Sequence, residues 1–385
     1  MIYDINPDNA VANVGNWKRL WKLMEKAEKG ENLTMGFLGG SITMGSVSST
    51  PKTCYAYLVF DWWQKKFPKA SFTYVNAGIG GTTSQFGVAR VHADLLQYNP
   101  DFVITEFSVN DENEEHFLET YEGMIRNIYA YKTKPAMLIV NNVCYNTGKN
   151  AQEQHNKIGK EYQIPCISMQ SSIYPQVAAG VIPNREITLD DLHPNDKGHQ
   201  IVADIIIHFL EKVNGALPVN GNETRNSMQK ENMHKGIDKK MPAPITRNAY
   251  EHSTRYQNRC DKFVSNGFLA DTTKQETITQ FFRNGWTAGN VGDSITFQIK
   301  GTGTAVQFRK SVNKPTPVAI AIVDGDEENA VTLDGNFEET WGDCLYLQTL
   351  TKHAEMKIHK VEIRITETHA EDVEPFYLVS VIGSY

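Results

Sequence analysis

The segment MGFLGGSITMG, residues 35–45, joins two signals. An apolar run of Leu33, Met35, Phe37 and Leu38 stops abruptly at Gly39-Gly40-Ser41. That pattern predicts a buried strand closing in a glycine turn, with a serine at its C-terminal tip. Open α/β sheets hold ligands outside the carboxyl ends of their strands, which is where Ser41 falls. Glycine also lets the backbone come close to a substrate. Other readings of the turn are weaker. A phosphate loop needs Gly-x-x-x-x-Gly-Lys-Ser/Thr; Gly40 and Gly45 have the spacing, but Ser46 stands where Lys is required. The nucleophile elbow Gly-x-Ser-x-Gly fails because Thr43 replaces its second glycine. A plain turn remains open until partners for Ser41 are found.

Outward from this turn the chain alternates. A helix is expected over 16–29, where Trp17, Leu20, Trp21, Met24 and Ala27 recur at helical spacing, with Asn16 as N-cap and Gly30 past the end. Tyr55 to Phe67 reads as a second helix, stopped by Pro68. A strand at Phe72–Val75 ends in Asn76-Ala77-Gly78-Ile79-Gly80-Gly81, which lacks the third glycine of a dinucleotide fingerprint. Further helices are expected over 85–97, 117–131 and 151–162, and further strands at Phe102–Phe107, Met137–Val140 and Pro165–Ser168. Five strands alternating with helices imply a parallel sheet covered on both faces. The Ser41 turn, the Gly81 loop and Ser108-Val109-Asn110-Asp111 each follow a strand, so the sheet gathers them at one edge. Leu189-Asp190-Asp191-Leu192-His193-Pro194-Asn195 then precedes an amphipathic helix carrying Ile201, Val202, Ile205, Ile206, Phe209, Leu210 and Val213, which Asn195 is placed to cap.

Composition bounds the function. The 385 residues suit two domains, and a 40% hydrophobic fraction suits real cores. A formal charge of −7, with no long Lys/Arg block, argues against nucleic-acid binding. Five widely spaced cysteines without a Cys-x-x-Cys pair suggest reduced thiols rather than a disulfide or zinc framework. No apolar leader follows Met1 and no run approaches a membrane span, so a cytoplasmic location off the membrane is expected.

From 216 to 256 the chain is polar and reads as a linker or crossing segment. Beyond it strand signals dominate: Ile295-Phe297-Ile299, Val306-Phe308, Val318–Val323, Val361-Ile363-Ile365 and Phe376–Ile382. Asn284-Gly285, Asp324-Gly325 and Asp334-Gly335 are turn signals between them. Residues 257–385 are therefore expected to form an all-β sandwich.

The loops share one chemistry. A serine nucleophile needs a base, for which His193 stands ready, and the base needs an orienting carboxylate. Asp190 and Asp191 both precede His193. Ester cleavage also needs donors aimed at the developing oxyanion; the N–H groups of Ser41 and Gly81 and the Asn110 amide are the candidates.

Gly39-Gly40-Ser41-Ile42-Thr43, Asn76 to Gly81, Ser108-Val109-Asn110-Asp111 and Asp190-Asp191-Leu192-His193-Pro194 resemble, in order and separation, the four blocks of the SGNH (GDSL-like) hydrolases. The match covers roughly residues 1–215. It implies a flavodoxin-like three-layer α/β/α fold and ester hydrolysis with no metal or cofactor. Carried over position by position, Ser41 is the nucleophile, His193 the base, Asp190 its partner, and Gly81 and Asn110 join Ser41 as oxyanion donors. One departure is Gly40, where many members have Asp. This form, with Glu106-Phe107-Ser108-Val109-Asn110-Asp111, resembles the carbohydrate-esterase side of the family. An SGNH domain followed by a β-sandwich resembles the family 17 carbohydrate esterases, which remove acetyl groups from mannan-derived oligosaccharides. Their sandwich looks like a carbohydrate-binding module.

The expected partner is thus an acetylated hemicellulose (manno- or xylo-) oligosaccharide. A lipase or thioesterase is the alternative within the enzyme class, and a sugar-binding protein with an inert hydrolase domain the alternative outside it. The sandwich is expected to help form the substrate site. Trp286 and Trp341 both lie in turn-like stretches, and the reading favours Trp341 as the sugar-facing ring.

Overall fold

The computed structural model describes residues 3–216 and 241–385. The part of the expected linker at 217–240 lies outside the described residues. Two compact units emerge, residues 1–87 with 91–247 and residues 88–90 with 248–385.

The first unit is built on strands β1 (Val11–Asn13), β2 (Asn32–Gly39), β3 (Ser71–Gly78), β4 (Phe102–Glu106), β5 (Ala136–Asn141) and β6 (Cys166–Ser168). They lie in the order β1-β6-β5-β4-β2-β3. All neighbours are parallel except β1, which pairs antiparallel with β6. Without that edge strand the order is the flavodoxin-like 2-1-3-4-5. The sequence reading missed β1, which spans three residues and carries no alternation. Every residue of β4 and β5 is buried, as expected of parallel strands covered on both faces.

The helices are α1 (Lys18–Glu28), α2 (Ser41–Met44), α3 (Tyr55–Lys66), α4 (Ser84–Asp94), α5 (Glu115–Ala130), α6 (Gln152–Glu161), α7 (Tyr174–Ala178), α8 (Asn184–Ile187) and α9 (Asp196–Gly215). The apolar faces of α1, α3 and α9 share a core with Met35, Phe37, Phe102, Ile104, Leu138 and Val140 of the sheet. Trp17 and Trp21 belong to that core, their rings edge to face at 6.0 Å. Asn195 caps α9, accepting from Gly198 N at 3.1 Å.

Residues 241–247 fold with the hydrolase unit. The buried Glu122 carboxylate of α5 accepts from Ile245 N and Thr246 N, both at 2.9 Å, and from Tyr162 Oη at 2.8 Å. Arg126, one turn further along α5, donates to Pro242 O at 2.9 Å. Backbone donors and acceptors of the incoming chain are thus met by buried side chains, which is what holds an irregular segment in place.

The second unit is an antiparallel sandwich. One sheet runs Cys344–Thr351, Gly303–Lys310, Phe376–Ser384, Trp286–Ala288, Leu269–Ala270, with Ser253–Tyr256 also paired to Phe376–Ser384. The other runs Val331–Asp334, Val318–Val323, Lys357–Glu367, Ser294–Gly301, Phe263–Asn266. Between them lie Ile295, Phe297, Ile299, Val306, Phe308, Leu333, Val361, Ile363, Phe376 and Leu378. Along Ser294–Gly301 every second residue is buried and those between are half-buried or exposed, the period-two pattern of a strand with one face in this core. Two of the three dipeptides read as turns have left-handed residues, Asn284 in one and Asp324 and Gly325 in another, whereas Asp334 ends a strand and Asp334-Gly335 has none. None closes a two-residue hairpin: the strand before Asn284-Gly285 ends at Ala270, and the strands after Asp324-Gly325 and Asp334-Gly335 begin only at Val331 and Cys344. The tightest link is Thr302, which carries the chain from one sheet to the other.

Trp286 requires a correction. It begins a strand, is fully buried, and packs edge to face on Phe263 and Phe297 at 5.2 and 5.3 Å. It is a core residue and has no surface to offer a sugar.

Candidate active site

Strand register brings the loops together. Gly39 at the end of β2 pairs with Gly78 at the end of β3 and with Glu106 at the end of β4. The three strands stop at one level, so the Ser41 turn, the Ile79–Gly81 loop and the Phe107–Asn110 loop leave the sheet side by side. β2 lies between β3 and β4, at the point where the strand order reverses; crevices in such sheets open there.

Ser41 is the first residue of α2, so its N–H has no acceptor inside the helix. His193 Nε2 lies 2.8 Å from Ser41 Oγ. His193 Nδ1 lies 2.6 Å from Asp190 Oδ2. Asp190 Oδ1 also accepts from the backbone N–H groups of His193 at 2.7 Å and Leu192 at 3.1 Å. Partial burial would raise the Asp190 pKa, but these bonds outweigh it and hold the carboxylate below its ordinary range. The three side chains thus form a nucleophile–base–carboxylate chain.

Asp191 faces elsewhere. Its backbone is left-handed (φ 70°), which turns its side chain away from the ring. It pairs with Arg185 Nη1 at 2.7 Å and is also bonded by Asn184 and Asn146. Its carbonyl accepts from Tyr145 N at 2.7 Å. Asp191 thus ties the histidine loop to α8 and to the loop after β5.

The oxyanion candidates converge on Ser41. A Cβ placed on Gly80 would stand 3.7 Å from Ser41 Cβ, so the glycine loop lies against the serine. Gly81 follows with φ 66°, a conformation that favours glycine. On the other side, a Cβ on Gly40 would come within 2.3 Å of Asn110 Oδ1. That close approach gives a physical reason for glycine where many relatives carry Asp: any side chain at 40 would displace the Asn110 amide as it now lies.

Several residues support the site in ways that the sequence did not assign. Thr43, the residue that breaks the elbow motif, bonds Tyr55 Oη at 2.8 Å and Glu106 Oε2 at 3.4 Å beneath the turn. Burial pushes the Glu106 carboxyl up to about 7. Asn76 donates to Thr43 O at 2.8 Å and accepts from Gly78 N at 2.9 Å, joining α2 to β3. His199 is buried on α9 and accepts from Tyr55 N at 3.2 Å. Burial lowers its pKa to about 4, which keeps a second positive charge from forming near His193. Asp196 accepts from Ser49 N at 2.7 Å and Thr53 Oγ1 at 2.8 Å, which staples the loop after Ser41 to the start of the helix after His193.

Among the described residues no group of three or more His, Cys, Asp or Glu is arranged to hold a metal ion. In the sandwich Trp341 stands exposed, its ring edge to face with Phe337 at 5.1 Å.

Comparison with known proteins agrees with this geometry. Residues 37–201 match the model of the GDSL-like Lipase/Acylhydrolase family. Over 187 residues the chain is 26% identical to Thioesterase 1/protease 1/lysophospholipase L1 of Escherichia coli (strain K12), covering 46% of this chain and 83% of that protein. It is 56% identical to a two-domain esterase active on acetylated mannans whose crystal structure contains mannopentaose, covering 99% of this chain and 98% of the other, with a TM-score of 0.92. A second crystal structure of a two-domain esterase active on acetylated mannans is also 56% identical, covering 99% of each chain, with a TM-score of 0.92.

Proposed function

The chain belongs to the GDSL-like (SGNH) hydrolases, and from that premise we propose that it is a serine esterase that removes O-acetyl groups from manno-oligosaccharides. The observation that carries the chemistry is the unbroken chain Ser41 Oγ–His193 Nε2–Asp190, with links of 2.8 and 2.6 Å. His193 takes the Ser41 proton as Oγ attacks the acetyl carbonyl, and Asp190 holds the opposite ring N–H. The oxyanion is met by the N–H groups of Ser41 and Gly81 and by the Asn110 amide. Collapse expels the sugar hydroxyl, which leaves with the proton from His193, and an acetyl ester remains on Ser41. Water, deprotonated by the same imidazole, then releases acetate. No step needs a metal or cofactor.

The substrate class is supported by the likeness, along nearly the whole of both chains, to an esterase active on acetylated mannans. Product analysis of acetylated manno- and xylo-oligosaccharides tests it: acetate should leave the mannan series faster. Faster turnover of a long-chain acyl thioester or lysophospholipid would favour the thioesterase reading instead. Ser41→Ala should lower kcat on the order of a thousandfold or more while leaving saccharide binding intact. Retention of a tenth of the activity would remove Ser41 from the nucleophile's role. Trp341, the exposed tryptophan of the sandwich, is assigned here to sugar contact.

A further inference from the structure

A second Asp–His pair lies in the first unit, apart from the reacting groups. Asp111 and His155 have fully buried side chains, with Asp111 Oδ2 3.0 Å from His155 Nε2. The other carboxylate oxygen, Oδ1, accepts from Ser84 N at 2.8 Å. Ser84 opens α4 directly after Gly81-Thr82-Thr83, and Asp111 directly follows Asn110. One carboxylate therefore grips both loops that carry the proposed oxyanion donors outside Ser41.

His155 is itself fixed to the sheet. Its Nδ1 lies 3.2 Å from Oδ1 of Asn141, the last residue of β5. Its ring stacks on Tyr121 with centroids 3.7 Å apart and planes at 10°. Tyr121 Oη in turn bonds Thr105 Oγ1 of β4 at 2.8 Å. The loop on which Asn110 sits is also held by Ala151 N, which donates to Ser108 O at 2.7 Å just ahead of α6. A buried carboxylate is tolerated only where its oxygens are paired, and here the pairs point at two catalytic loops and the strands beneath them.

We propose that Asp111 and His155 are positioning residues that set the Gly81 loop and the Asn110 amide at the distance the transition-state oxyanion requires. The inference rests on the oxyanion role given to Asn110 above. Donors of this kind act only when pre-set, and a misplacement of about 1 Å costs about a hundredfold in rate. The pair touches neither Ser41 nor His193, so its effect passes through Asn110 and Gly81.

The test is a set of mutant cycles with 4-nitrophenyl acetate, using the whole chain. Asp111→Asn and His155→Gln are each made alone and on an Asn110→Ala background. Each alone should lower kcat about ten- to a hundredfold with KM changed less than about threefold. On the Asn110→Ala background each should cost at least about threefold less than it does alone, because one of the two donors they position is gone and only the Gly81 contribution remains. Equal losses on both backgrounds would overturn the inference and make the pair a general packing feature, as would unchanged kcat in both single variants. An Asn110→Ala enzyme with the original kcat would instead overturn the oxyanion assignment, and the inference with it. Thermal melting of His155→Gln accompanies the rates: a kcat loss that reverts on cooling well below its midpoint reports unfolding and counts against the proposal. Asp111→Asn, nearly the same shape as the original, provides the parallel measurement.

Discussion

Asp190 and Asp191 stand side by side in the sequence, and the structure gives them different work. Asp190 accepts three bonds from His193 and Leu192; Asp191 is spent on Arg185, Asn184 and Asn146. Asp190→Asn should therefore lower kcat by about a thousandfold or more, since the amide neither holds the right tautomer nor offsets the imidazolium. Asp191→Asn should cost less than about tenfold, because it weakens a partly exposed ion pair in a supporting loop. A steady-state comparison on one acetyl ester decides it, and the reverse order would show that the wrong carboxylate was assigned to the base. That Ser41, His193, Asp190 and Asn110 belong to one site was legible because block order along the chain survives without knowledge of contacts. The Asp191 pair was not, since Arg185 lies on α8, a single helical turn too short to leave a periodic signal. His155 was hidden for a similar reason: one histidine within α6 looks like any polar residue until Asp111 is placed against it.

At the scale of the element, what matters is where strands end. The alternation of apolar runs and amphipathic helices predicted the five parallel strands, because buried parallel strands are apolar throughout. It missed β1 and the short sandwich strands such as Trp286–Ala288 and Leu269–Ala270, whose two or three residues draw their stability from neighbouring strands rather than from pattern. β4 shows a further feature of strand ends: Phe102–Glu106 is buried to its last residue, and that residue is an acid. Glu106 lies under the Ser41 turn, near Thr43, Asn142 and Ser108, with Asp111 adding negative potential. Its carboxyl titrates near 7 in the fold against an ordinary value of 4.5. Below the lower value both folded and unfolded chains hold the proton. Between the two, the folded chain keeps a proton that the unfolded chain has released, so stability falls as pH rises. Above about 7 the deficit is constant, on the order of 3 kcal/mol at about 1.4 kcal/mol per unit. Glu106→Gln stays neutral throughout. The Tm difference between variant and parent should shift in the variant's favour from about pH 5 to about pH 8 and level off beyond. Differential scanning over that range checks it, and a parallel offset at every pH would show that Glu106 stays protonated or is better paired than its surroundings imply.

At the scale of the whole molecule, a hydrolase unit with an open sheet edge is followed in the same chain by a sandwich. The proposed base and its carboxylate are partly open to solvent: the side chain of Asp190 is 47% exposed and that of His193 21%. A flexible saccharide held there loses conformational freedom, and contacts away from the acetyl group must offset that cost. The sandwich contains two tryptophans, both beside glycine in turn-like stretches, and the sequence favours Trp341 without a packing reason. Packing does separate them. Trp286 is sealed between Phe263 and Phe297, whereas Trp341 is 61% exposed and meets Phe337 edge to face. An exposed tryptophan ring offers a large apolar face with few rotatable bonds to order, which suits the apolar face of a sugar. Trp341→Ala should then lower kcat/KM on acetylated manno-oligosaccharides by about tenfold or more, equivalent to about 1.4 kcal/mol of lost contact. 4-Nitrophenyl acetate has no sugar to seat, and its turnover should stay within about twofold of the parent. Equal loss on both substrates would mean that the sandwich had been damaged as a fold. Unchanged rates on both would leave Trp341 outside the path of the substrate and shift the search for the saccharide contacts to the hydrolase loops themselves.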